Sequence, residues 1–282
     1  MAGRGQAGGL TGPMRSASPV LLIALAFILW AQPALAWREL EPGLAVETFA
    51  VPGQADPPRE VVVLRADQAQ FVLRLLCAGE QGTGTLTVEQ WAEGHGLVAA
   101  INASMYLQDR RTSTGYLRNF AYLNNGRINK GFGAILVFNP AEAGLEPVRL
   151  LDRREDPDWE VKLAKYHCAV QNYRMVSGGR NVWLRQDEAT SIACLGLDER
   201  GRVLLIHARA PFTAFELGNF LLSLPIGLRG AMYVEGGVEA GLFVHSRDFV
   251  GRFAGTFDAG FLHGGSTSFR PLPNVIGLAR RK

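Results

Sequence analysis

Short apolar segments of strand length recur along most of this chain, and each is ended by turn residues or by polar residues. Segments of this kind, rich in β-branched and aromatic side chains, are typical of buried or half-buried strands. They are residues 61–65, 70–76, 97–101, 134–138, 165–176, 191–197, 202–207, 231–234 and 242–245. A chain with this pattern has to bury most of its apolar surface in sheets.

Two segments carry the start signal of an amphipathic helix. Thr87 is followed three residues later by Gln90, and Thr213 by Glu216, which is the spacing of a capping box. The second helix is predicted to end at Pro225-Gly227. Its apolar stripe consists of Leu217, Phe220, Leu221 and Leu224.

Strands outnumber helices, and the order strand–helix–strand occurs at residues 202–234. The sequence therefore predicts a mixed α/β (α+β) fold: a single domain built on one extended mixed sheet with flanking helices. This domain is predicted to span residues 37–282, with its core at about 60–250. The tail after Ser266 is predicted to be rich in turns and to end in a frayed basic terminus.

Residues 1–36 have the pattern of a secretory signal peptide. Arg4 and Arg15 precede an apolar run at residues 20–31, and Ala34-Leu35-Ala36 is a small-x-small cleavage site before Trp37. A retained membrane anchor is the alternative. The run is shorter than the ~20 residues that span a bilayer, so we expect cleavage, no membrane span afterwards, and a periplasmic or extracellular protein.

The charge balance argues against a nucleic-acid partner. Without the two arginines of the signal peptide, 27 basic residues (29 minus 2) face 26 acidic ones. Nucleic-acid-binding proteins usually concentrate basic residues. The three cysteines, Cys77, Cys168 and Cys194, have no zinc-site spacing. They are interpreted as buried small side chains, with a structural disulfide as the alternative.

Polar residues follow several of the predicted strands and are the candidates for a functional site. Glu235 precedes Gly236-Gly237, and a carboxylate there either acts as an acid, a base, a nucleophile or a calcium ligand, or caps or braces its own turn. His207 ends a strand and is either an acid–base group or a structural histidine. Arg174 and Arg209 either clamp a phosphate or form ion pairs.

Asn102 is the remaining candidate from the residues alone. It either hydrogen-bonds a ligand or caps a turn. The usual hydrolase and nucleotide signatures are missing: there is no Gly-x-Ser-x-Gly elbow, no phosphate-binding loop and no His-Glu-x-x-His.

Five segments taken together resemble the bacterial phosphodiester glycosidase family over roughly residues 60–250. In order they are INASMY with STGY, NNGRINKGFGA, QNYRM, LGLDERGRVLLIHAR and AMYVEGG. Asn102 and Tyr106 occupy the places of the family's first motif. Relatives commonly have Leu-Asp-Gly-Gly where this chain has Val-Glu-Gly-Gly, and an arginine common at residues 191–196 is missing, so the resemblance indicates a divergent branch.

The resemblance implies an exported hydrolase that cleaves a sugar-1-phosphodiester. Acid–base catalysis is assigned to Glu235 and His207, and phosphate binding to Arg174 and Arg209. The ligand would be oriented by Asn102, Tyr106, Gly236 and Gly237. No cofactor is required, although the chemistry is compatible with a divalent metal, and the partner is a glycan or sugar phosphate. The alternative is a non-catalytic glycan-binding module of the cell envelope on the same fold.

Overall fold

The computed structural model describes residues 8–9, 37–53, 59–185, 188–256 and 268–282. The predicted signal peptide and its cleavage site lie outside the described residues, apart from residues 8 and 9. Residues 35–282 form one compact unit. Among the described residues, no helix is both long enough and apolar enough to cross a membrane.

Strands dominate the described chain, and the helices are short. The strands are β1 (Arg38–Glu41), β2 (Leu44–Ala50), β3 (Glu60–Ala66), β4 (Phe71–Cys77), β5 (Ala99–Asn102), β6 (Leu117–Asn119), β7 (Tyr122–Asn125), β8 (Ala134–Pro140), β9 (Val148–Asp152), β10 (Tyr166–Ser177), β11 (Arg180–Asn181), β12 (Thr190–Asp198), β13 (Val203–Phe212), β14 (Leu228–Gly236), β15 (Gly241–Ser246), β16 (Phe249–Ala254) and β17 (Asn274–Arg280). The helices are α1 (Ala78–Gln81), α2 (Val88–Gly94), α3 (Trp159–Ala164) and α4 (Ala214–Ser223), and a 3-10 turn spans Gly237–Glu239.

The prediction of one extended mixed sheet is wrong, because the described strands form two sheets. The large sheet has the order β1-β2-β3-β13-β12-β14-β10-β6-β7, with β8, β9 and β11 attached through β10. The small sheet has the order β16-β15-β5-β17-β4. Every strand pair within the described residues is antiparallel.

The strand–helix–strand segment explains why a mixed sheet was expected. Strands β13 and β14 run parallel to each other on either side of α4, but β12 lies between them and pairs antiparallel with both. The other edge of β13 is paired with β3, so β14 is added at the remaining edge of the β12–β13 hairpin, beside β12. The predicted hairpin itself is confirmed.

The two sheets and two helices form four layers. The main core contains side chains from both sheets and lies between them. A second core packs α4 on the outer face of the large sheet, and a third packs α2 on the outer face of the small sheet. Both predicted capping boxes are present, at Thr87–Gln90 and Thr213–Glu216. In α4, Leu217 and Leu221 are fully buried, and Phe220 and Leu224 are partly buried.

The prediction of a turn-rich tail is also wrong. Strand β17 lies inside the small sheet, between β5 and β4, and Val275 and Ile276 are fully buried. Arg280 at its end donates hydrogen bonds to both carboxylate oxygens of Glu41, at 2.7 and 2.9 Å. The strand was missed because Pro271, Pro273 and Gly277 resemble turn residues in a short apolar run.

Candidate functional site

A bulge in strand β14 directs Glu235 toward the core between the two sheets. Glu235 is paired with Ala193 of β12, whereas Tyr233 is paired with the next residue, Cys194, so Val234 is the extra residue. Ala193 and Val234 belong to the core between the sheets, and Cys194 belongs to the core under α4. Because an extra residue reverses the alternation of side chains, Glu235 shares a face with Ala193.

Gly236 allows the side chain of Tyr233 to lie directly over the strand. A Cβ atom at residue 236 would stand only 2.1 Å from the Tyr233 hydroxyl oxygen. The next residue, Gly237, has a φ of 67°, a left-handed conformation that favours glycine. The two glycines therefore serve a close packing contact and a turn immediately after Glu235.

His207 lies on the same face as Glu235, on the other side of β12. Ala193 is paired with His207 of β13 as well as with Glu235 of β14. The two Cα atoms are therefore separated by two strand spacings, roughly 10 Å. Since Ala193 ends at Cβ, little of the β12 side-chain layer stands between the imidazole and the carboxyl.

The carboxyl of Glu235 is held in its neutral form. Burial raises the pKa of Glu235 to about 8, although the Gly236 N–H, which donates to Oε1 at 3.0 Å, opposes the rise. The charge of nearby Glu239 raises this pKa further. Near pH 7 the group is a carboxylic acid able to donate a proton.

The imidazole of His207 is also neutral. Burial lowers the pKa of His207 to about 4, a hydrogen bond with the Ala240 backbone opposes this, and the charge of Arg209 adds to it. Nε2 has no hydrogen-bond partner among the described residues. Nδ1 therefore makes the bond to Ala240, and Nε2 carries a lone pair that can accept a proton.

Asn102, the last residue of β5, fastens the small sheet to the segment that follows Glu235. Its Nδ2 donates to the Glu239 carbonyl oxygen at 2.9 Å, and its Oδ1 accepts from the Gly241 N–H at 2.8 Å. The side chain is almost fully buried, with 1% exposed. In this structure Asn102 positions the 3-10 turn at Gly237–Glu239.

Tyr106 lies close to the carboxyl groups of Glu235 and Glu239. Burial raises the pKa of the Tyr106 hydroxyl, the charge of Glu239 raises it further, Arg110 lowers it, and Glu235 adds a smaller rise. The Arg110 guanidinium stands 5.5 Å from the centre of the Tyr106 ring. Asn102, Tyr106, Glu235 and the 3-10 turn thus form one cluster at the end of β14.

The two predicted phosphate-binding arginines have different surroundings. Arg209 lies two residues after His207 on β13, and its charge reaches the imidazole. Arg174 on β10 is paired with Met232, three residues before Glu235. Its Nη1 donates to both carboxylate oxygens of Asp152, at 2.6 and 2.8 Å. Arg174 is therefore turned away from the cluster around Glu235.

Sequence reasoning missed three contributors to this cluster. Ala193 separates the imidazole from the carboxyl, and Glu239 adds a second carboxylate. Asn172 of β10 donates from Nδ2 to the Val234 carbonyl oxygen at 3.2 Å, which braces the bulged strand. The motif QNYRM contains Asn172 and could have indicated it. The contributions of Ala193 and Glu239 depend on how the chain folds and cannot be inferred from a local motif.

No group of three or more His, Cys, Asp or Glu side chains suited to a metal ion occurs in the described parts of the chain. The expectation that no cofactor is required stays a prediction. The three cysteines are confirmed as buried free thiols, and burial raises the pKa of each.

A large cavity lies away from this cluster. It has a volume of about 900 Å³ and is lined by six acidic and six basic residues, several of which pair with each other, such as Arg202 with Asp198. Neither Glu235 nor His207 lines it. Because its charges are balanced by one another, it resembles a solvated surface groove more than a catalytic site.

Comparison with known proteins identifies the family. Residues 95–279 match the model of the phosphodiester glycosidase family. The chain belongs to this family. The match includes all eight residues predicted for the site, and it places the chain among the hydrolases of sugar phosphodiesters at the level of the family.

Two solved structures show the same fold. The zebrafish N-acetylglucosamine-1-phosphodiester alpha-N-acetylglucosaminidase catalytic domain, auto-inhibited by its pro-peptide, is 12% identical, with a TM-score of 0.60 over 86% of this chain and 85% of that one. A hypothetical protein from Synechocystis is also 12% identical, with a TM-score of 0.57 over 85% of this chain and 62% of that one. No curated protein sequence matches this chain.

Proposed function

We propose that this phosphodiester glycosidase hydrolyses a sugar-1-phosphodiester, releasing the free sugar and leaving a phosphomonoester. The observation that carries the proposal is the pair formed by Glu235 and His207. Burial keeps the Glu235 carboxyl protonated and the His207 imidazole unprotonated. The two residues lie on either side of Ala193. Titratable groups with pKa values displaced in opposite directions are typical of acid–base sites.

The two neutral groups supply the two proton transfers that hydrolysis needs. Nε2 of His207 accepts a proton from water as the water oxygen bonds to the anomeric carbon. The Glu235 carboxylic acid gives its proton to the bridging oxygen as the bond between that oxygen and the anomeric carbon breaks. The reaction ends with a histidinium and a carboxylate, and exchange with solvent returns both to their neutral forms.

The substrate phosphate is assigned to Arg209 in this proposal. Its guanidinium charge already reaches His207, whereas the Arg174 guanidinium is bound by Asp152. A guanidinium offsets the charge of a phosphate and binds it through paired N–H groups. Tyr106 and the turn held by Asn102 would orient the sugar.

The test is hydrolysis of a panel of sugar-1-phosphodiesters by the parent protein and by Glu235→Gln. Glutamine keeps the size of the side chain but carries no transferable proton, so kcat should fall about 10²- to 10⁴-fold while KM changes little. Glu142→Gln, at an exposed position, is the control and should behave like the parent. Equal turnover by Glu235→Gln and the parent would overturn the catalytic role.

A glycan-binding module on the same fold is the second candidate. It is favoured by the replacement of the family's usual aspartate with Glu235, which is one methylene longer. If neither protein turns over any member of the panel, but both bind glycans with the same affinity, the binding module replaces the hydrolase.

Export of the protein is part of the proposal. It is supported by the charged, apolar and small-residue regions of residues 1–36. Sequencing the N-terminus of protein recovered from outside the cytoplasm should give Trp37 as the first residue. Recovery of residues 20–31 on that protein would favour the membrane anchor.

A further inference from the structure

A second, smaller cavity is lined by basic residues and, within the described part of the chain, by no acidic residue. Its volume is about 260 Å³, close to the lower end of small-molecule sites at roughly 300 Å³. Five of the residues that line it are basic: Lys130, Arg153, Arg154, Arg174 and Arg185. The large groove, by contrast, has equal numbers of acidic and basic residues. Of these two cavities, only the small one therefore has an excess of positive charge among its described lining residues.

Most of this charge is not compensated within the described chain. Arg174 is neutralised by Asp152, but the other four basic residues have no ion pair among the described residues. Like charges brought together without acidic partners repel each other, so a bound anion would lower the energy of this arrangement.

Two buried donors at the cavity also lack an acceptor among the residues that the structure describes. Trp183 lines the cavity with only 5% of its surface exposed, and its indole N–H has no hydrogen-bond partner among the described residues. The Nε–H of Arg153 is likewise buried without a partner there. Buried donors are nearly always paired, so these two indicate an acceptor that binds in the cavity.

Arg153 is held rigidly enough to serve as part of a built site. Its Nη1 donates to the carbonyl oxygens of Asn129 and Phe132, at 3.1 and 2.9 Å. Its guanidinium also lies 4.8 Å from the ring centre of Trp159. A guanidinium fixed in this way loses little side-chain entropy when it binds an anion.

We propose that this cationic cavity is a phosphate-binding site, which takes the phosphoryl group of a sugar phosphate or of a phosphorylated glycan. Phosphate oxygens accept hydrogen bonds from the Trp183 indole and from Arg153, and the exposed side chains of Lys130, Arg154 and Arg185 offset the charge. The inference concerns binding alone and does not depend on turnover at Glu235.

The cavity lies close to Gly236 on the face of the large sheet opposite Glu235. The ring centres of Trp183 and Tyr233 are 5.4 Å apart, and the Tyr233 hydroxyl packs on Gly236. Tyr233 therefore separates the phosphate site from the strand that carries the catalytic carboxyl. A ligand in this cavity occupies a different place from the substrate at Glu235.

The test is titration of the full chain with inorganic phosphate and with glucose 1-phosphate, measured by calorimetry at low and at moderate salt. The double variant Lys130→Gln/Arg154→Gln should weaken binding about tenfold or more, because two charges are removed from a site of four. Both residues are exposed, so the fold should be retained. Arg200→Gln, an exposed arginine of the large groove, is the control and should bind as the parent does.

Trp183→Phe tests the buried donor separately. It removes the N–H but keeps an aromatic ring, so it should weaken binding without changing the dependence on salt. Binding of both probes identifies the phosphoryl group as the ligand, and binding of glucose 1-phosphate alone adds a requirement for the sugar. If the parent binds neither probe, or if Arg200→Gln weakens binding as much as the double variant, the proposal is wrong.

Discussion

His207 and Glu235 face each other across Ala193, each on one of the two strands that flank β12. The same cause, burial, displaces their pKa values in opposite directions, because burial disfavours the charged form of each. The result is a carboxylic acid and a neutral imidazole at the same pH.

The rate of hydrolysis should depend on pH as a bell-shaped curve. His207 has to be unprotonated and Glu235 protonated, so kcat/KM should fall below about pH 4 and above about pH 8. The measurement is a pH profile of the parent with its best substrate. In Glu235→Gln the alkaline fall should vanish from the remaining activity. An alkaline fall that persists in this variant would assign it to another group.

The stability of the fold should also respond to the pKa of Glu235. Between its ordinary pKa near 4.5 and its folded value of about 8, the folded state holds a proton that the unfolded state has released. The free energy of unfolding contributed by this group therefore falls as pH rises through that window. Glu235→Gln should remove this fall, so its stability relative to the parent should increase from pH 5 to about pH 8.

His207 should have the opposite effect on stability. Its pKa is lowered in the folded state, so its contribution to the free energy of unfolding rises as pH increases from about 4 to its ordinary value near 6.5. Denaturant unfolding of the parent and of Glu235→Gln at several pH values separates the two groups, because only the Glu235 contribution still changes between about pH 6.5 and 8. A constant difference between Glu235→Gln and the parent would contradict the raised pKa.

Gly236→Ala should destabilise the fold through contact with Tyr233. The added methyl group would lie 2.1 Å from the hydroxyl oxygen and 3.3 Å from the ring carbon that carries it. Displacing a packed ring typically costs about 1 to 3 kcal/mol. Because the φ of Gly236 is −137°, the backbone itself tolerates alanine. Tyr233→Phe should therefore restore most of the lost stability. If Gly236→Ala destabilises the Tyr233→Phe variant as much as it destabilises the parent, the clash involves another residue.

Leu221→Ala should lower the free energy of unfolding by about 2 to 5 kcal/mol, because it opens a cavity beneath α4. Leu221 is fully buried in the core under this helix. Phe215→Ala in the same helix is the control, since Phe215 is 49% exposed. Its effect should be much smaller in denaturant unfolding. A loss for Leu221→Ala no larger than that of the control would mean that the helix packs differently.

Local patterns in the sequence predicted two of the four described helices and nine of the seventeen described strands, because capping boxes and apolar runs are read within a few residues. The capping pair Thr213–Glu216 and the β12–β13 hairpin are examples. The division into two sheets could not be predicted in this way, since it depends on which strands pair across long distances. Pairing of β5 with β17, for instance, joins residues about 170 positions apart.

The candidate site, like the fold, could be predicted only in part from local patterns in the sequence. Glu235 and Asn102 were found because each stands at or next to the end of an apolar strand, whereas His207, which was expected to end its strand, lies in the middle of β13. The role of Ala193 rests on strand register, and the bulge at Val234 changes which face Glu235 occupies. The ion pair of Arg174 with Asp152 was missed because the two residues lie 22 positions apart, and only the fold brings β10 beside the end of β9, where Asp152 is 9% exposed.

The position of β17 has a consequence for the order in which the strands of the small sheet can pair. Strand β5 ends in Asn102, and β17 is one of its two neighbours in the small sheet, although β17 is made long after β5. One edge of β5 pairs with β15, and the other edge stays unpaired until β17, the last of the described strands, has been made. The clamp from Asn102 onto the turn beside Glu235 joins residues that are made before β17, at 239 and 241, but the strand that carries Asn102 keeps one unpaired edge until β17 is added. Chains interrupted before residue 274 should therefore hold β5 by β15 alone, which leaves the strand that carries Asn102 less firmly fixed beside the turn at Gly237–Glu239.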